Sequence, residues 1–265
     1  MLRNISLTAM TRKTNRSNSL VGLNLTDLHS HILPEIDDGS VNTDESIQML
    51  KKSHESGVGM IIATPHFYPD LNTPEHFFAK RSKSVETLLE VVDKERGNGE
   101  IFPKIGLGAE VAFFKGMSRS DTLESFCIKG TRLILIEMPF GRWNDSIIDE
   151  LYVIKASLGL VPVIAHIDRY IQYQDSDSFS EIFAGDFLIQ ANASAFESSK
   201  SAKKVLNMLK DGEIDFLGSD CHNTTDRSPD ISRAISIIEK KLGKDAIEEL
   251  KKFGNYALSE AVCII

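Results

Sequence analysis

Two short segments near opposite ends of the chain each place metal-binding side chains one residue apart. Asp27-Leu-His29-Ser-His31 contains a His-x-His pair, and Asp220-Cys-His222 contains an Asp-x-His pair. Alternate side chains of a β-strand point to the same face, so the members of each pair share a face. Imidazole and carboxylate groups bind divalent transition metals. Taken alone, the His-x-His pair would fit two surface histidines on an edge strand equally well.

Residues of the same kinds end four apolar runs between these two segments. The runs finish, in chain order, on His66, Glu110, Glu137 and His166. Core packing does not explain why so many apolar runs end in His or Glu. Parallel strands of an α/β barrel bring their C-terminal ends to one face, where active sites are built. The sequence therefore predicts a metal centre at the mouth of a barrel.

The candidate ligands are too many for one ion. Together with Asp38, in the loop after the first strand, they are His29, His31, Asp38, His66, Glu110, Glu137, His166, Asp220 and His222. Zinc takes about four ligands and manganese about six, so we expect two or three divalent ions that share a bridging carboxylate. No thiolate belongs to the set, which points away from structural zinc. Mn is favoured, with Fe, Zn or Mg as alternatives. The residues alone do not decide between Asp37 and Asp38 as the loop ligand.

Strands that alternate with helices from Leu23 onward must position these ligands. This alternation predicts right-handed crossovers and a closed parallel sheet, and residues 23–265 have the length of one α/β barrel domain. Helices are predicted at 43–57, 73–96, 119–128, 144–158, 197–211 and 230–252, and a seventh strand at 187–192.

Residues 1–22 differ from the rest of the chain. They contain four basic residues and no acidic one, and they lack hydrophobic periodicity. A signal peptide requires a continuous apolar core of about 7–15 residues, which this segment does not contain. We interpret residues 1–22 as a disordered basic tail.

The composition limits the classes of partner. A net charge of −8 and a pI near 5.4 argue against nucleic acid, because phosphate backbones select basic surfaces. No apolar run approaches the roughly 18 residues of a membrane span, so membrane insertion is not expected. The three cysteines form no CxxC pair, which fits a reducing cytoplasm. The oligomeric state stays open.

Five motifs together resemble those of PHP (polymerase and histidinol phosphatase) domains. They are Asp27-x-His29-x-His31, Thr64-Pro-His66, Gly108-Ala-Glu110, Ala165-His-Ile-Asp-Arg169 and Ser219-Asp-Cys-His222. The segment from His29 to Gly39 is most similar to the PHP-type protein-tyrosine phosphatases of bacterial capsule and exopolysaccharide operons. The resemblance spans about residues 24–253 and implies a distorted (β/α)7 TIM-like barrel that holds three metals.

The resemblance also distributes the ligands among the metals. The implied sets are His29, His31, Glu110 and Asp220 for the first metal, Glu110, Glu137 and His166 for the second, and Asp38, His66 and His222 for the third. Histidinol-phosphate phosphatases of this superfamily tend to have histidine where this chain has Asp38, which favours the tyrosine-phosphatase branch.

Two arginines, Arg169 and Arg227, align with the residues that clamp the substrate phosphate in these relatives. Guanidinium groups offer paired donors suited to phosphate oxygens. The expected activity is hydrolysis of phosphotyrosine by a metal-activated water, with His66 or Asp168 able to assist. The expected partner is a phosphotyrosine protein, namely the tyrosine-rich tail of a bacterial tyrosine kinase. The alternatives are a small-molecule phosphomonoesterase such as histidinol-phosphate phosphatase and, less favoured, a non-enzymatic metal-stabilised binding module.

A competing chemistry is suggested by the segment from Cys221 to Ser228. It fits the C-x5-R-[ST] pattern of cysteine-dependent tyrosine phosphatases, with Arg227 as the arginine. That chemistry needs a thiolate beneath a loop that curls around phosphate, usually with the help of glycines, and this loop contains none. The strand pattern also points Cys221 away from Asp220 and His222. We therefore favour the metal mechanism.

Overall fold

The computed structural model describes residues 20–174 and 176–265. Residues 1–19 of the predicted basic tail lie outside the described residues. Leu20 belongs to the folded part, because its side chain packs against the core and its carbonyl accepts a 3.0 Å hydrogen bond from the backbone N–H of Leu23. Any truncation that is meant to spare the fold should therefore end before Leu20.

Strands and helices alternate along the described residues. The strands are β1 (Leu25–Ser30), β2 (Val58–Ala63), β3 (His66–Phe67), β4 (Lys104–Leu107), β5 (Glu110–Ala112), β6 (Leu133–Glu137), β7 (Val161–Ile164), β8 (Leu188–Asn192) and β9 (Phe216–Gly218). The α-helices are α1 (Thr43–Glu55), α2 (Pro74–Gly97), α3 (Asp145–Leu158), α4 (Ile167–Tyr170), α5 (Ser176–Ala184), α6 (Ser199–Lys210), α7 (Ser232–Leu242) and α8 (Lys244–Ala257). Short 3-10 helices cover Met117–Arg119, Leu123–Phe126 and Ala193–Glu197.

The strands are parallel and form two connected sheets. One has the order β1-β2-β4 and the other the order β3-β5-β6-β7-β8-β9. Because β3 resumes the path of β2 and β5 resumes that of β4, each after a two-residue break, the chain contributes seven barrel strands. The α/β barrel-like class predicted from the sequence is confirmed.

The two broken strands correct the prediction that the apolar runs finishing on His66 and Glu110 are each one continuous strand. Pro65 has no N–H to donate to a sheet, and it lies in the first break. Its carbonyl accepts a 3.1 Å hydrogen bond from the N–H of Glu110, across the second break. The strands pass from one sheet to the other at these breaks, and His66 and Glu110 are the first residues of the strands that follow them.

The first and last strands meet at a seam that closes the barrel. Across it the N–H of Asp220 donates to the carbonyl of His29 at 2.8 Å, and the N–H of His31 donates to the carbonyl of Cys221 at 2.9 Å. The buried carboxylate of Asp27 also accepts a 2.8 Å hydrogen bond there from the N–H of Ser219. The seam therefore brings the two segments from opposite ends of the chain side by side.

Apolar side chains from five strands fill the centre of the barrel. Leu28, Ile62, Leu135, Val163 and Phe216 are buried in one cluster. Strands that are far apart in the strand order can contribute to one cluster only when the sheet curls around it, as in a filled barrel. A larger apolar cluster packs the helices onto the strands.

Two predicted helical stretches are wrong in detail. The stretch 119–128 contains the last residue of one 3-10 helix and the whole of a second, and the stretch 230–252 covers two helices, of which the second continues to Ala257. Gly243 ends α7 with a φ of 94°, a left-handed value that glycine adopts without strain. The prediction also missed α4 and α5. None of the helices in the described part of the chain is long and apolar enough to cross a membrane.

Candidate metal centre

All nine predicted ligands lie at or just beyond the C-terminal ends of the barrel strands, or in the loop after β1. Two of them, His166 and Asp220, have left-handed backbone conformations, with φ values of 33° and 52°. Such values are uncommon for residues other than glycine, and strained residues of this kind cluster at functional sites. The surrounding structure therefore stabilises a costly conformation at two of the predicted ligands.

The buried carboxylate of Glu110 contacts four imidazoles. Its Oε2 lies 3.0 Å from Nε2 of His29, 3.4 Å from Nε2 of His31 and 2.9 Å from Nδ1 of His66. Its Oε1 lies 2.9 Å from Nε2 of His166. Glu110 thus occupies a position between neighbouring sites, as the predicted bridging ligand must.

Potential ligand atoms fall into three groups, each with its atoms within 4.8 Å of one another. The groups are His31, Asp38, His66 and His222, then His29, His31 and Asp220, and then His66, Glu110 and Glu137. The first group contains the whole set predicted for the third metal. The second group shares His29, His31 and Asp220 with the set predicted for the first metal. The last differs from the predicted second set because His66 takes the place of His166. His166 nevertheless lies 3.8 Å from Glu137, so the structure brings all nine residues into one cluster.

The donor atoms fit a metal rather than a hydrogen-bonded core. Among the described residues, Oε2 of Glu110, Nδ1 of His66 and Nε2 of His222 are buried, and their close contacts with other candidate ligands do not have hydrogen-bond geometry. A buried polar atom without a partner costs about 1–3 kcal/mol, so such atoms are rare unless something binds them. Nitrogen and carboxylate donors with no thiolate are typical of catalytic sites for Mn, Fe or Zn.

The environments of Asp37 and Asp38 differ. The Asp37 carboxylate is occupied: its Oδ2 lies 2.7 Å from Nδ1 of His31 and accepts a 3.0 Å hydrogen bond from the N–H of His66. Although burial alone would raise its pKa, the contact with His31 lowers the pKa of Asp37 to about 2. Asp38 has a 67% exposed side chain, with Oδ1 3.4 Å from Nε2 of His222. This arrangement favours Asp38 as a ligand and Asp37 as the group that orients His31.

Two amides on β8, Gln190 and Asn192, support the cluster, and the sequence motifs did not indicate a role for Gln190. Gln190 is buried, and its Oε1 accepts hydrogen bonds from the backbone N–H of His166 at 2.7 Å and from Nδ1 of His29 at 3.1 Å. Its Nε2 donates to Oδ1 of Asn192, whose Nδ2 donates to Oδ2 of Asp220, both at 2.9 Å. The signal was present in the sequence, because Gln190 and Asn192 alternate within an otherwise apolar strand.

Both predicted phosphate-clamping arginines contact the same carboxylate. The guanidinium of Arg169 donates to Oδ2 of Asp220, and that of Arg227 donates to Oδ1 at 2.8 Å. Burial would raise the pKa of Asp220, but the charges and hydrogen bonds of His29, His31 and Arg169 hold it well below its usual range. About a third of each arginine side chain is exposed.

Aromatic residues line part of the mouth. The ring of Tyr68 stacks on that of His66 with centroids 4.9 Å apart. Phe140 is exposed, whereas Trp143 is buried and donates from Nε1 to the carbonyl of Pro139. Of these two aromatic residues in the segment after β6, Phe140 is therefore the one available to a ligand, and Trp143 packs the barrel rim.

Cys221 is placed badly for a nucleophile. Its side chain is fully buried within the apolar core, and burial raises the pKa of its thiol well above the usual range. A thiol with a raised pKa carries almost no thiolate at neutral pH. The geometry therefore disfavours the cysteine mechanism.

A curled parallel α/β barrel with a cluster of His, Asp and Glu at its strand ends defines a barrel metallohydrolase. Residues 25–256 match the family described as "Capsular polysaccharide synthesis, CpsB/CapC". The chain belongs to this family. The family predicted from the motifs is confirmed.

Similar proteins carry a consistent description. The chain is 29% identical over 237 residues to the tyrosine-protein phosphatase CpsB of Streptococcus pneumoniae, a match that covers 84% of this chain and 93% of the relative. It is 27% identical over 236 residues to CpsB of Streptococcus agalactiae serotype III (strain NEM316), with the same coverage.

A solved structure from work on YwqE of Bacillus subtilis and CpsB of Streptococcus pneumoniae, described as unique metal-dependent tyrosine phosphatases, has the same fold. It superposes with a TM-score of 0.78 at 24% identity and covers 90% of this chain and 96% of that one.

Proposed function

We propose that this protein is a metal-dependent protein-tyrosine phosphatase of capsule or exopolysaccharide synthesis. The observation that carries the proposal is the contact of the Glu110 carboxylate with four imidazoles, beside the partly exposed side chains of Arg169 and Arg227. The family and the names of its relatives support the same activity.

The nine clustered residues would hold two or three divalent ions, with Mn favoured. When bound, such ions lower the pKa of a water molecule and neutralise charge on the phosphate and the leaving phenolate. Glu110 has the central position required of a shared ligand. Gln190 and Asp37 orient His29 and His31 through their Nδ1 atoms, which leaves Nε2 of each ring directed at the cluster.

The two arginines bind the phosphate group in this proposal. Each presents several N–H donors in a plane, and only some of these are used by Asp220. Asp220 thereby fixes both guanidinium groups before substrate arrives, which lowers the entropy cost of binding. In the same proposal His66, whose side chain is 11% exposed, assists the leaving group.

Two features favour phosphotyrosine over a small alkyl phosphate. The exposed Phe140 and the half-buried Tyr68 offer aromatic surface near the cluster to a phenyl ring. Asp38, with 67% of its side chain exposed, shows that the mouth is open on that side. An open mouth admits a residue that projects from a protein. A bacterial tyrosine kinase tail is the proposed substrate, and a cytoplasmic location is part of the same proposal.

Chelation and metal reconstitution test the proposal. We expect EDTA to abolish hydrolysis of a phosphotyrosine peptide and Mn to restore it better than Mg. Parallel assays on histidinol phosphate should show much weaker turnover. Full activity after exhaustive chelation would refute the metal mechanism, and a preference for histidinol phosphate would favour the small-molecule alternative.

A further inference from the structure

A cleft between α6 and α7 concentrates positive charge in an acidic protein. It has a volume of about 630 Å³, and its walls carry Lys203 and Lys210 from α6 and Lys240 and Lys241 from α7, against one acidic lining residue, Glu197. All four lysines are exposed, and none pairs with an acidic side chain of residues 20–174 or 176–265. The net charge of the whole chain is −8, so this basic cleft is a local reversal of the overall charge.

The floor of the cleft is apolar. Leu206, Ile237 and Leu242 line it and are half-buried, next to the buried Phe196. Protein-binding sites combine an apolar centre with a polar rim, and complementary charge fixes the orientation of the partner. A concave surface with this pattern fits a peptide segment that carries acidic and apolar residues. A flat anionic membrane would contact the lysines but leave the floor empty.

One end of the cleft begins close to the candidate metal centre. Residues Ala193–Glu197 form a turn that starts where β8 ends and leads directly into α6. Asn192, at the end of β8, donates to Asp220 in the metal cluster. On the other wall Arg233 of α7 donates from Nε to the carbonyl of Phe196 at 3.3 Å, which ties α7 to this turn. A segment bound in the cleft therefore leads towards the barrel mouth.

We propose that the cleft between α6 and α7 docks an acidic segment of the substrate protein that lies beside the phosphotyrosine. The inference rests on the proposed phosphatase function and deepens it, because it names a feature by which the enzyme selects its substrate. The lysines attract acidic side chains, and the apolar floor accepts one or two aliphatic or aromatic residues between them. Since the cleft lies outside the reacting centre, docking acts on KM and leaves kcat nearly unchanged.

The experiment uses the full chain loaded with Mn and two phosphotyrosine peptides. The peptides differ only in having Glu and Asp, or Gln and Asn, beside the phosphotyrosine. The test variant combines Lys203→Glu with Lys240→Glu. The control is Lys83→Glu on α2, an exposed lysine that forms no ion pair with the described residues. The control makes the same kind of charge change, one reversal instead of two, away from the cleft.

We expect the wild type to prefer the acidic peptide through a lower KM, and the preference to weaken as salt is added. In the double variant the ratio of the two KM values, neutral peptide over acidic peptide, should fall at least about fivefold, because each charge reversal replaces an attraction by a repulsion. The control should keep it. Fluorescence anisotropy with a labelled, non-hydrolysable acidic phosphotyrosine mimic should show a matching rise in Kd.

Several results would overturn the docking site. These are equal KM values for the two peptides in the wild type, an unchanged preference in the double variant, and an equal loss in the control. A change of sedimentation mass in the double variant would assign the cleft to a second copy of the chain. Loss of binding to phosphatidylglycerol vesicles, with the peptide preference intact, would assign it to a membrane. Hydrolysis of p-nitrophenyl phosphate is measured in parallel. A wild-type enzyme that did not hydrolyse it would refute the phosphatase function, and the anisotropy measurement would still test peptide binding in the cleft.

Discussion

Replacing Gln190 by methionine should damage the metal centre without touching a predicted ligand. Methionine has nearly the same length and volume as glutamine but cannot accept the two hydrogen bonds made by Oε1. The loss leaves the N–H of His166 and Nδ1 of His29 without an acceptor in a region of zero exposure. Each buried unpaired group costs about 1–3 kcal/mol, so the free energy of unfolding should fall by at least about 2 kcal/mol. For a chain of this size that corresponds to a decrease in Tm of roughly 4–8 °C.

The functional effect follows from the tautomer of His29. With Gln190 present, Nδ1 holds the proton and donates it, so Nε2 is free to bind a metal next to Glu110. Without that acceptor the proton can move to Nε2 and block the ligand atom. Loss of such a supporting partner typically costs about 10–100-fold in metal affinity or activity. Metal content by mass spectrometry, chelator competition and turnover of p-nitrophenyl phosphate measure the effect.

A control separates orientation from packing. Gln190→Glu keeps an acceptor for His29 and for the N–H of His166, and it should retain more metal than Gln190→Met. Wild-type metal affinity and turnover in folded Gln190→Met would refute the argument that this amide positions His29. Equal damage in both variants would show that the Nε2–H donor to Asn192, which both variants lack, matters rather than the acceptor.

Three further predictions concern other parts of the molecule. Cys221→Ser should keep turnover within about threefold and lower the free energy of unfolding by about 1–3 kcal/mol, because a hydroxyl enters an apolar site. His222→Ala should lose at least about tenfold in kcat/KM. If the serine variant lost more activity than the alanine variant, the cysteine mechanism would be favoured again. Asp215→Asn should raise the Tm at pH 7–8. Burial raises the pKa of Asp215 from 3.8 to about 6. The stability that the protonated carboxyl contributes is therefore fully present below pH 3.8 and is lost as the pH rises through about 6. The gain, about 1–2 kcal/mol after solvent screening, should vanish below about pH 4, and a gain that is equal at all pH values would contradict this cause. Removal of residues 1–19 should leave Tm and turnover unchanged, because the packing against the core in the described part begins at Leu20, and loss of folded protein would contradict this.

Eight of the nine ligands of the candidate site could be predicted from the sequence because they lie at strand ends, whereas Asp38 lies in the loop after β1. Strand-end placement is a local signal, and parallel topology converts it into proximity. His29 and His222 are far apart in sequence, yet the prediction that they share one barrel mouth needed no distance information. Gln190 was missed because an amide in an apolar strand has no single local meaning. Only its hydrogen bonds to His29 and His166 define its role.

The details that the sequence did not reveal depend on long-range packing. Gly243 could have indicated the break between α7 and α8, but a single glycine inside a helical pattern is often tolerated. The basic cleft arises from lysines such as Lys203 and Lys240, on helices that are separate in sequence. Their joint effect appears only when α6 and α7 lie next to each other.

The seam between β1 and β9 has a consequence for the order of events during folding. It joins residues such as Asp27 and Ser219, which are 192 positions apart, so closing it requires ordering most of the chain. Contacts with so large a sequence separation form late, because their loop entropy is offset only after nearer contacts exist. His29 and His31 lie on one side of this seam and Asp220 and His222 on the other. A complete site therefore does not exist in a partly folded chain, and uptake of the ions becomes a step that reports maturation of the whole barrel.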